Sequence, residues 1–330
     1  MKKRILSGMR PTGKLHLGHL VGALDNWVKL QDEYECFFMV ADWHALMSEY
    51  EDTSQLAENR IDNTIDWLSA GVDPEKSTVF IQSGVREHLD LYMVLSCFTP
   101  LGWLERCPTY KEQLREVTTR NLHTYAFLGY PVLQAADILL YKAGKVPVGE
   151  DQLPHLELTR EIARRFNGLY KSKIFPEPEA ILTPTPRLLG LDGRKMSKSY
   201  NNTLNLSDPE EVLRKKIGNM FTDPKRVLRT DKGHPETCNV HAYYGVFLPE
   251  QKDEVERGCR SASLGCTDCK KMLAAGLIEK LKPFHERREG FLKDKAKVKR
   301  ILEKGTEKAR AVAAGTFSEV REAMGLPRLA

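Results

Sequence analysis

Apolar and polar residues change their spacing along this chain, and the change divides it. In the first half, short apolar runs alternate with longer amphipathic stretches. Residues 4–7 predict a strand. Residues 18–34 predict a helix, with Leu20, Ala23, Leu24, Trp27, Val28 and Leu30 on one broad face. Residues 36–40 are apolar without interruption, as in a parallel strand buried on both faces. Thr53 is placed to cap a helix running to residue 70, with Leu56, Ile61, Ile65 and Leu68 inward and Gly71 as its stop. Residues 77–82 predict a further strand. This strand–helix rhythm predicts an α/β fold, a doubly wound parallel sheet of Rossmann-like type, with ligands at the C-terminal strand ends. His16, Asp42 and His44 fall at such ends.

From residue 87 to about 125 the pattern is helical and irregular, as expected of an insertion between the two halves of the sheet. Residues 131–141 and 152–166 predict helices flanking a short strand at 145–148. From residue 207 onward charged amphipathic helices follow, with no convincing buried strand. The expected division is a catalytic domain over 1–205 and an all-α domain over 206–330.

Composition narrows this little. The chain has 330 residues, 41% hydrophobic and 29% charged, which suits a globular enzyme with two cores. A formal net charge of +5 permits an RNA partner without demanding one. Behind Met1-Lys2-Lys3-Arg4 only Ile5 and Leu6 are apolar before Ser7, so no secretory leader is expected. No window approaches the ~18 apolar residues of a membrane span. The expected location is the cytoplasm.

Two segments carry chemistry. Gly8-Met9-Arg10-Pro11-Thr12-Gly13-Lys14-Leu15-His16-Leu17-Gly18-His19 runs from a strand end into a helix. Its glycines and Pro11 make an irregular loop. Gly18 lets a flat base approach the backbone, and His16 and His19 can each donate an N–H to a phosphate oxygen beside a helix N-terminus. The plainer alternative is a helix cap and a surface histidine. Roughly 180 residues on, the turn-rich Gly190-Leu191-Asp192-Gly193-Arg194 delivers Lys195-Met196-Ser197-Lys198-Ser199. Two ammonium groups there suit the charge on a leaving pyrophosphate. A solvated basic loop is the alternative.

Together these segments resemble the HIGH and KMSKS signatures of class I aminoacyl-tRNA synthetases. A third block sharpens the likeness. Tyr130-Pro131-Val132-Leu133-Gln134-Ala135-Ala136-Asp137-Ile138-Leu139-Leu140-Tyr141 is followed by Val146-Pro147-Val148-Gly149-Glu150-Asp151-Gln152. His155-Leu156-Glu157-Leu158-Thr159-Arg160 comes next, then Arg165-Phe166-Asn167. This resembles bacterial tryptophanyl-tRNA synthetases, and the match runs almost from the first residue to Met324-Gly325-Leu326.

The resemblance implies a two-step reaction. The tryptophan carboxylate attacks the α-phosphorus of ATP, and the 2′-OH of the terminal tRNA adenosine then takes the aminoacyl group. It implies catalytic roles for His16, His19, Lys195 and Lys198 on the phosphates, with Mg²⁺ bridging them, and closure of the 195–199 loop. ATP is expected at Met9, Arg10, Thr12, Gly18, His19, Gly149, Asp151, Lys195, Met196, Ser197 and Lys198. Tryptophan is expected at Leu6, Gly8, Val40, His44, Tyr130, Gln134, Asp137, Val146, Val148 and Gln152. Within that set, Asp137 accepts the indole N–H, Tyr130 and His44 meet the amino or carboxylate end, and the valines and Leu6 form an apolar wall. The implied partners are tRNA(Trp), bound through an anticodon-binding C-terminal domain, and a second copy of the chain in a homodimer.

The residues themselves leave alternatives. A carboxylate between Ala136 and Ile138 needs a partner, and an indole N–H or Lys142 would serve. Gln134 stands where many relatives carry methionine, and Arg10 where many carry glutamine. Gln134 keeps tyrosine in view as the substrate. A nucleotidyltransferase without tRNA and a silent RNA-binding paralogue are the remaining readings.

The chain has seven cysteines. Cys36, Cys97 and Cys107 are scattered and read as small buried hydrophobes. Cys238, Cys259, Cys266 and Cys269 form C-x20-C-x6-C-x2-C, with Arg257, Arg260, Lys270 and Lys271 around them. In an expected cytoplasmic protein such a group suits a metal better than disulfides. With one C-x-x-C and two lone partners, a [4Fe–4S] cluster is expected ahead of structural zinc. Some bacterial relatives carry such a cluster in this domain. The site is either an anticodon surface or a structural staple.

Overall fold

The computed structural model describes residues 2–116, 121–182, 188–194, 196 and 200–327. In chain order its strands and helices are β1 (Arg4–Met9), α1 (Leu17–His19), α2 (Asp25–Glu33), β2 (Glu35–Val40), α3 (Asp42–Glu49), α4 (Leu56–Ala70), β3 (Ser77–Ile81), α5 (Glu87–Ser96), α6 (Leu101–Glu105), α7 (Pro108–Glu116), α8 (Tyr125–Leu140), β4 (Lys145–Val148), α9 (Leu153–Leu169), β5 (Glu179–Leu182), α10 (Glu210–Gly218), α11 (Asn239–Phe247), α12 (Pro249–Arg260), α13 (Cys266–Lys293) and α14 (Lys295–Ala323). A π-helical stretch, Leu20–Leu24, joins α1 to α2. The chain forms two compact units. The first holds Met1–Gly13, Asn26–Pro184 and Asp294–Ala330, and the second Lys14–Asp25 and Thr185–Lys293.

The first unit is built on a parallel five-stranded sheet in the order β3-β2-β1-β4-β5. β2 is buried from Cys36 to Val40, as an uninterrupted apolar run requires. Trp27 stacks on Phe38 with ring centres 4.4 Å apart and meets Trp67 edge-on at 5.0 Å. Burial of Phe37, Phe38 and Phe80 contributes about 2 kcal/mol each. α5, α8 and α9 pack in sequence, and α14 lies against β3. There a Cβ on Gly305 would stand 1.9 Å from the Val79 carbonyl oxygen, so only glycine lets the helix approach so closely. Thr306 Oγ1 accepts the N–H of Ile81 at the edge of the sheet (3.2 Å).

In the second unit α10 packs on α13, and α11 on α12 and α13. Its core includes Leu213, Ile217, Tyr243, Tyr244, Leu273, Leu277 and Leu281. The architecture is thus Rossmann-like α/β with a mostly helical C-terminal region, as expected. Among the described residues no helix is long and apolar enough to cross a membrane.

Several details differ from expectation. The helix expected over 18–34 contains the π stretch, a feature that concentrates near functional sites. Thr53 does not cap α4. Its carbonyl accepts Leu56 N–H in a preceding turn, and Gln55 is the residue that begins the helix. β5 was not foreseen, being four residues long and half exposed. Cys97 is exposed rather than buried.

Candidate active site

Tyr130, Gln134 and Asp137 lie at i, i+4 and i+7 of α8, one stripe of the helix. Residues 129–140 are otherwise buried, and Gln134 alone among them is half-exposed. Asp137 is 2% exposed. His44 Nε2 lies 2.8 Å from its Oδ2, and His88 Nδ1 lies 2.6 Å from its Oδ1. Gln82 Nε2 donates to both oxygens, at 2.8 and 3.0 Å. Burial alone would raise the Asp137 carboxyl, but the His44 and His88 N–H groups outweigh it and hold it at about 2. The group is therefore an ionised acceptor inside an apolar helix. The lysine offered by sequence as its partner, Lys142, pairs instead with Glu319 at 2.7 Å.

The donors are themselves fixed. Trp43 N–H donates to Gln82 Oε1 (3.1 Å), which turns the Gln82 NH₂ toward Asp137. His88 Nε2 lies 2.9 Å from the Tyr141 hydroxyl. Asp42 anchors the start of α3 by accepting Ser83 N–H (2.9 Å), Ser83 O–H (2.5 Å) and Arg60 (3.0 Å). The segment after β3 thus ties α3 and α8 together.

Tyr130 leads to the other end of the site. Its hydroxyl lies 2.7 Å from His155 Nε2, and His155 Nδ1 lies 3.1 Å from Gln152 Oε1. Burial pulls His155 down to about 4. A neutral imidazole that donates to Gln152 at Nδ1 accepts the Tyr130 O–H at Nε2. Gln152 then turns its NH₂ to Asp151 (2.8 Å), whose carboxylate crosses Gly149. His44 lies near enough to influence His155 electrostatically, and Arg10 near enough to influence Tyr130. The structure therefore brings together His44, Tyr130, Asp137, Asp151 and Gln152.

Leu6 and Val146 are buried in the core that contains Asp137's helix, with Val148 packed against it, and Val40 ends β2 fully buried. Gly8 and Met9 close β1, paired with Met39 and Val40. Arg10 donates to Ser48 Oγ (3.4 Å), and Thr12 N–H to Arg10 O (2.9 Å). Four residues of this region had no role from sequence: Gln82, His88, Tyr141 and His155. The only sequence signal was a polar residue breaking each apolar run.

In the second unit, His16 and His19 form a reciprocal cap. Gly18 N–H donates to His16 Nδ1, and His16 N–H to His19 Nδ1, both at 3.1 Å, with the rings 3.8 Å apart. Each neutral ring then carries its proton on Nε2. A Cβ on Gly18 would lie 3.0 Å from His16 Nδ1 and 2.9 Å from its Cε1, so glycine lets the imidazole fold over the chain. Met196 Sδ lies beside the same point, at 3.9 Å. Leu17 N–H donates to Leu204 O, and Leu206 N–H to Leu15 O, both at 2.9 Å. These bonds join the first signature to the chain just beyond the second. Asp192 accepts Asn202 Nδ2 (2.8 Å) and Arg194 N–H (3.0 Å), which with the Arg194 guanidinium hold its carboxyl at about 2. Lys195, Ser197 and Lys198 lie outside the described residues.

Cys238 immediately precedes α11, without a side-chain capping bond, Cys259 lies in the last turn of α12, and Cys266 and Cys269 lie in the first turn of α13. Burial, then the neighbouring thiols with Cys238 foremost, push Cys269 up to about 12. Cys259 is also raised, by burial above all, and Arg226 Nη1 lies 3.9 Å from its sulfur. Among the described residues no three His, Cys, Asp or Glu side chains stand in position around a single metal ion.

The family described as tRNA synthetases class I (W and Y) matches residues 1–282. A tryptophan–tRNA ligase of Thermotoga maritima is 56% identical over 326 residues, covering 98% of this chain and 99% of that protein. One from Aquifex aeolicus is 44% identical, covering 98% of this chain and all of that protein. The crystal structure of tryptophanyl-tRNA synthetase from Campylobacter jejuni, complexed with ADP and tryptophan, superposes with a TM-score of 0.89 at 34% identity, covering 98% of this chain and 100% of that one.

Proposed function

We infer the function from one premise: the chain belongs to the class I tRNA synthetases (W and Y). It is a tryptophan–tRNA ligase, which activates tryptophan with ATP and transfers it to tRNA(Trp). The observation that carries the choice of amino acid is Asp137, an ionised, buried acceptor among apolar neighbours. An indole has one polar atom, an N–H donor, and a lone carboxylate matches it.

For the residues we propose the following. Asp137 accepts the indole N–H, with Leu6, Gly8, Val40, Val146 and Val148 around the ring and Gln134 at its edge. His44, Tyr130 and Gln152 hold the amino and carboxylate groups. Gly149 and Asp151 meet the ribose, and Met9, Arg10, Thr12, Gly18 and Met196 line the nucleotide. The carboxylate of tryptophan is already a nucleophile, so the first step needs positioning and charge stabilisation rather than a base. His16, His19, Lys195 and Lys198 supply that charge on the phosphates, helped by Ser197. Mg²⁺ arriving with ATP would offset part of the phosphate charge beside these side chains.

We propose residues 1–205 as the catalytic domain, with its insertion at roughly 87–125, and 206–330 as the anticodon-binding domain, although Asp294–Ala330 fold with the first compact unit and Lys14–Asp25 with the second. We also propose a homodimer in the cytoplasm. Exposed Met93 on α5 and Leu101 on α6 support an interface there, at 63% and 61% exposure.

For the four cysteines we propose a [4Fe–4S] cluster. Cys238, Cys266 and Cys269 stand at helix N-termini, which favour thiolates, while burial and the neighbouring thiols raise Cys269 and Cys259. Four thiolates are by chemistry the ligand set such a cluster takes, although among the described residues no three of these side chains stand around a single metal ion. When bound, it would staple α11, α12 and α13. Iron and sulfide analysis of anaerobically purified protein is expected to find both, and zinc without iron would overturn this assignment.

The test of the main reading is amino-acid-dependent ATP–pyrophosphate exchange. Exchange with tryptophan and not tyrosine is expected. Exchange with tyrosine instead, or with no amino acid, would overturn it.

A further inference from the structure

Asp137 can only select an indole if its carboxylate is held at one angle, and α8 alone does not hold it. A carboxylate offers about four acceptor positions. Among the described residues three side chains address it: Gln82, His44 and His88. Gln82 straddles both oxygens and each histidine takes one, so an incoming N–H must share an oxygen with donors already in place. The angle at which it can do so depends on where those three side chains sit.

Of the three, His88 is the most constrained. It is fully buried, lies nearly parallel to Phe80 at 6.1 Å, and is tilted against Tyr141 at 5.5 Å. Tyr141 O–H reaches its Nε2. If that hydroxyl donates, Nε2 is the acceptor, and the proton must sit on Nδ1, facing Asp137. The opposite tautomer would set an imidazole lone pair 2.6 Å from a carboxylate oxygen, which is repulsive.

We propose that His88, with its tautomer fixed by Tyr141, is a positioning residue for tryptophan selection, aiming Asp137 at the indole N–H. The proposal rests on the reading of Asp137 as indole acceptor. His88 itself touches no substrate. It acts by presenting one N–H to one oxygen of Asp137, so its removal lets the carboxylate rotate. Rotation misplaces the acceptor for an indole and leaves a substrate without an N–H unaffected.

The experiment compares tryptophan with its sulfur analogue, in which benzothiophene replaces indole. Pyrophosphate exchange gives kcat/KM for each, and KM for ATP, in the wild type, His88→Leu, His88→Asn and Tyr141→Phe. The wild type is expected to prefer tryptophan by a factor on the order of 10⁴. His88→Leu should shrink that preference on the order of 10²-fold, by loss on the tryptophan side alone. Tyr141→Phe should shrink it about tenfold, the worth of one hydrogen bond. His88→Asn keeps an amide N–H near the Nδ1 position and should restore most of the preference. If tryptophan and the analogue fall together with their ratio intact, His88 is only a packing residue and the proposal is overturned. Should His88→Leu fail to fold, Tyr141→Phe with an unchanged ratio overturns it equally. A wild type that does not distinguish the two substrates overturns the Asp137 reading, and this proposal with it.

Discussion

Asp137 and His16 hold polar groups in opposite ways. Asp137 lies inside α8, 2% exposed, with its donors fixed in turn by Trp43, Tyr141 and the turn after β3. His16 sits at a loop–helix junction, half-buried, capped by its own neighbours within three residues. The first arrangement is long-range: Asp137 is 93, 55 and 49 residues from the side chains that address it. The second is local. The difference follows from what each site meets. An indole N–H is a fixed, neutral target, and a pre-set acceptor discriminates it strongly. Phosphate charge moves during the reaction, and donors on a loop can follow it.

Removing the long-range acceptor should cost most. Asp137→Asn replaces an acceptor by an amide and leaves three donors facing it. A loss on the order of 10⁴ in kcat/KM for tryptophan is expected in pyrophosphate exchange. KM for ATP should stay in place. A shift in KM for ATP as large as that for tryptophan would erase the contrast between the two sites. The local site is next. His19→Ala removes a phosphate donor and the partner of His16 N–H. It should lower kcat by 10²–10³ on the order of one preorganised donor, with KM for tryptophan unmoved. Equal loss in KM for tryptophan would mean that His19 shapes the amino-acid site.

Locality also decided what the sequence disclosed. The histidine and lysine signatures are contiguous, so their spacing is visible in one line of residues. The central strands were visible for a related reason: β2 and β3 are buried along almost their whole length, and the runs in their sequences show it. β5 carries no such run, since Glu179 and Leu182 are exposed and the strand is held by backbone pairing with β4. Gln82, His88 and Tyr141 were silent because each looks like an ordinary break in an apolar pattern until three elements meet. The expected capping by Thr53 failed because a turn intervened before Gln55, and cap position depends on backbone angles that composition does not set. Asp137 itself was visible as an anomaly, a charge in an apolar helix, but its partners were not.

The smallest expected effect concerns His155, which ties Tyr130 to Gln152. Burial lowers its folded value from 6.5 to about 4. Between those values the unfolded chain binds a proton that the folded chain does not, so stability must rise with pH across the window and fall as pH drops through it. The loss from pH 7 to pH 5 should be about 2 kcal/mol from this residue. Asp137 behaves differently. Its folded value is held near 2, below 3.8, so its contribution is present above pH 4 and is lost only as pH falls toward 2. His241 is also lowered, by burial first, so in urea unfolding at pH 7, 6 and 5 the share of His155 is read against a variant that lacks it. His155→Gln keeps a side chain able to meet Tyr130 and does not titrate, so the variant should show a flatter profile between pH 7 and 5 than the wild type. An identical slope in both proteins would mean that His155 is protonated within the fold. It could then no longer accept the Tyr130 hydroxyl, and the amino end of the site would lose the tie between Tyr130 and Gln152.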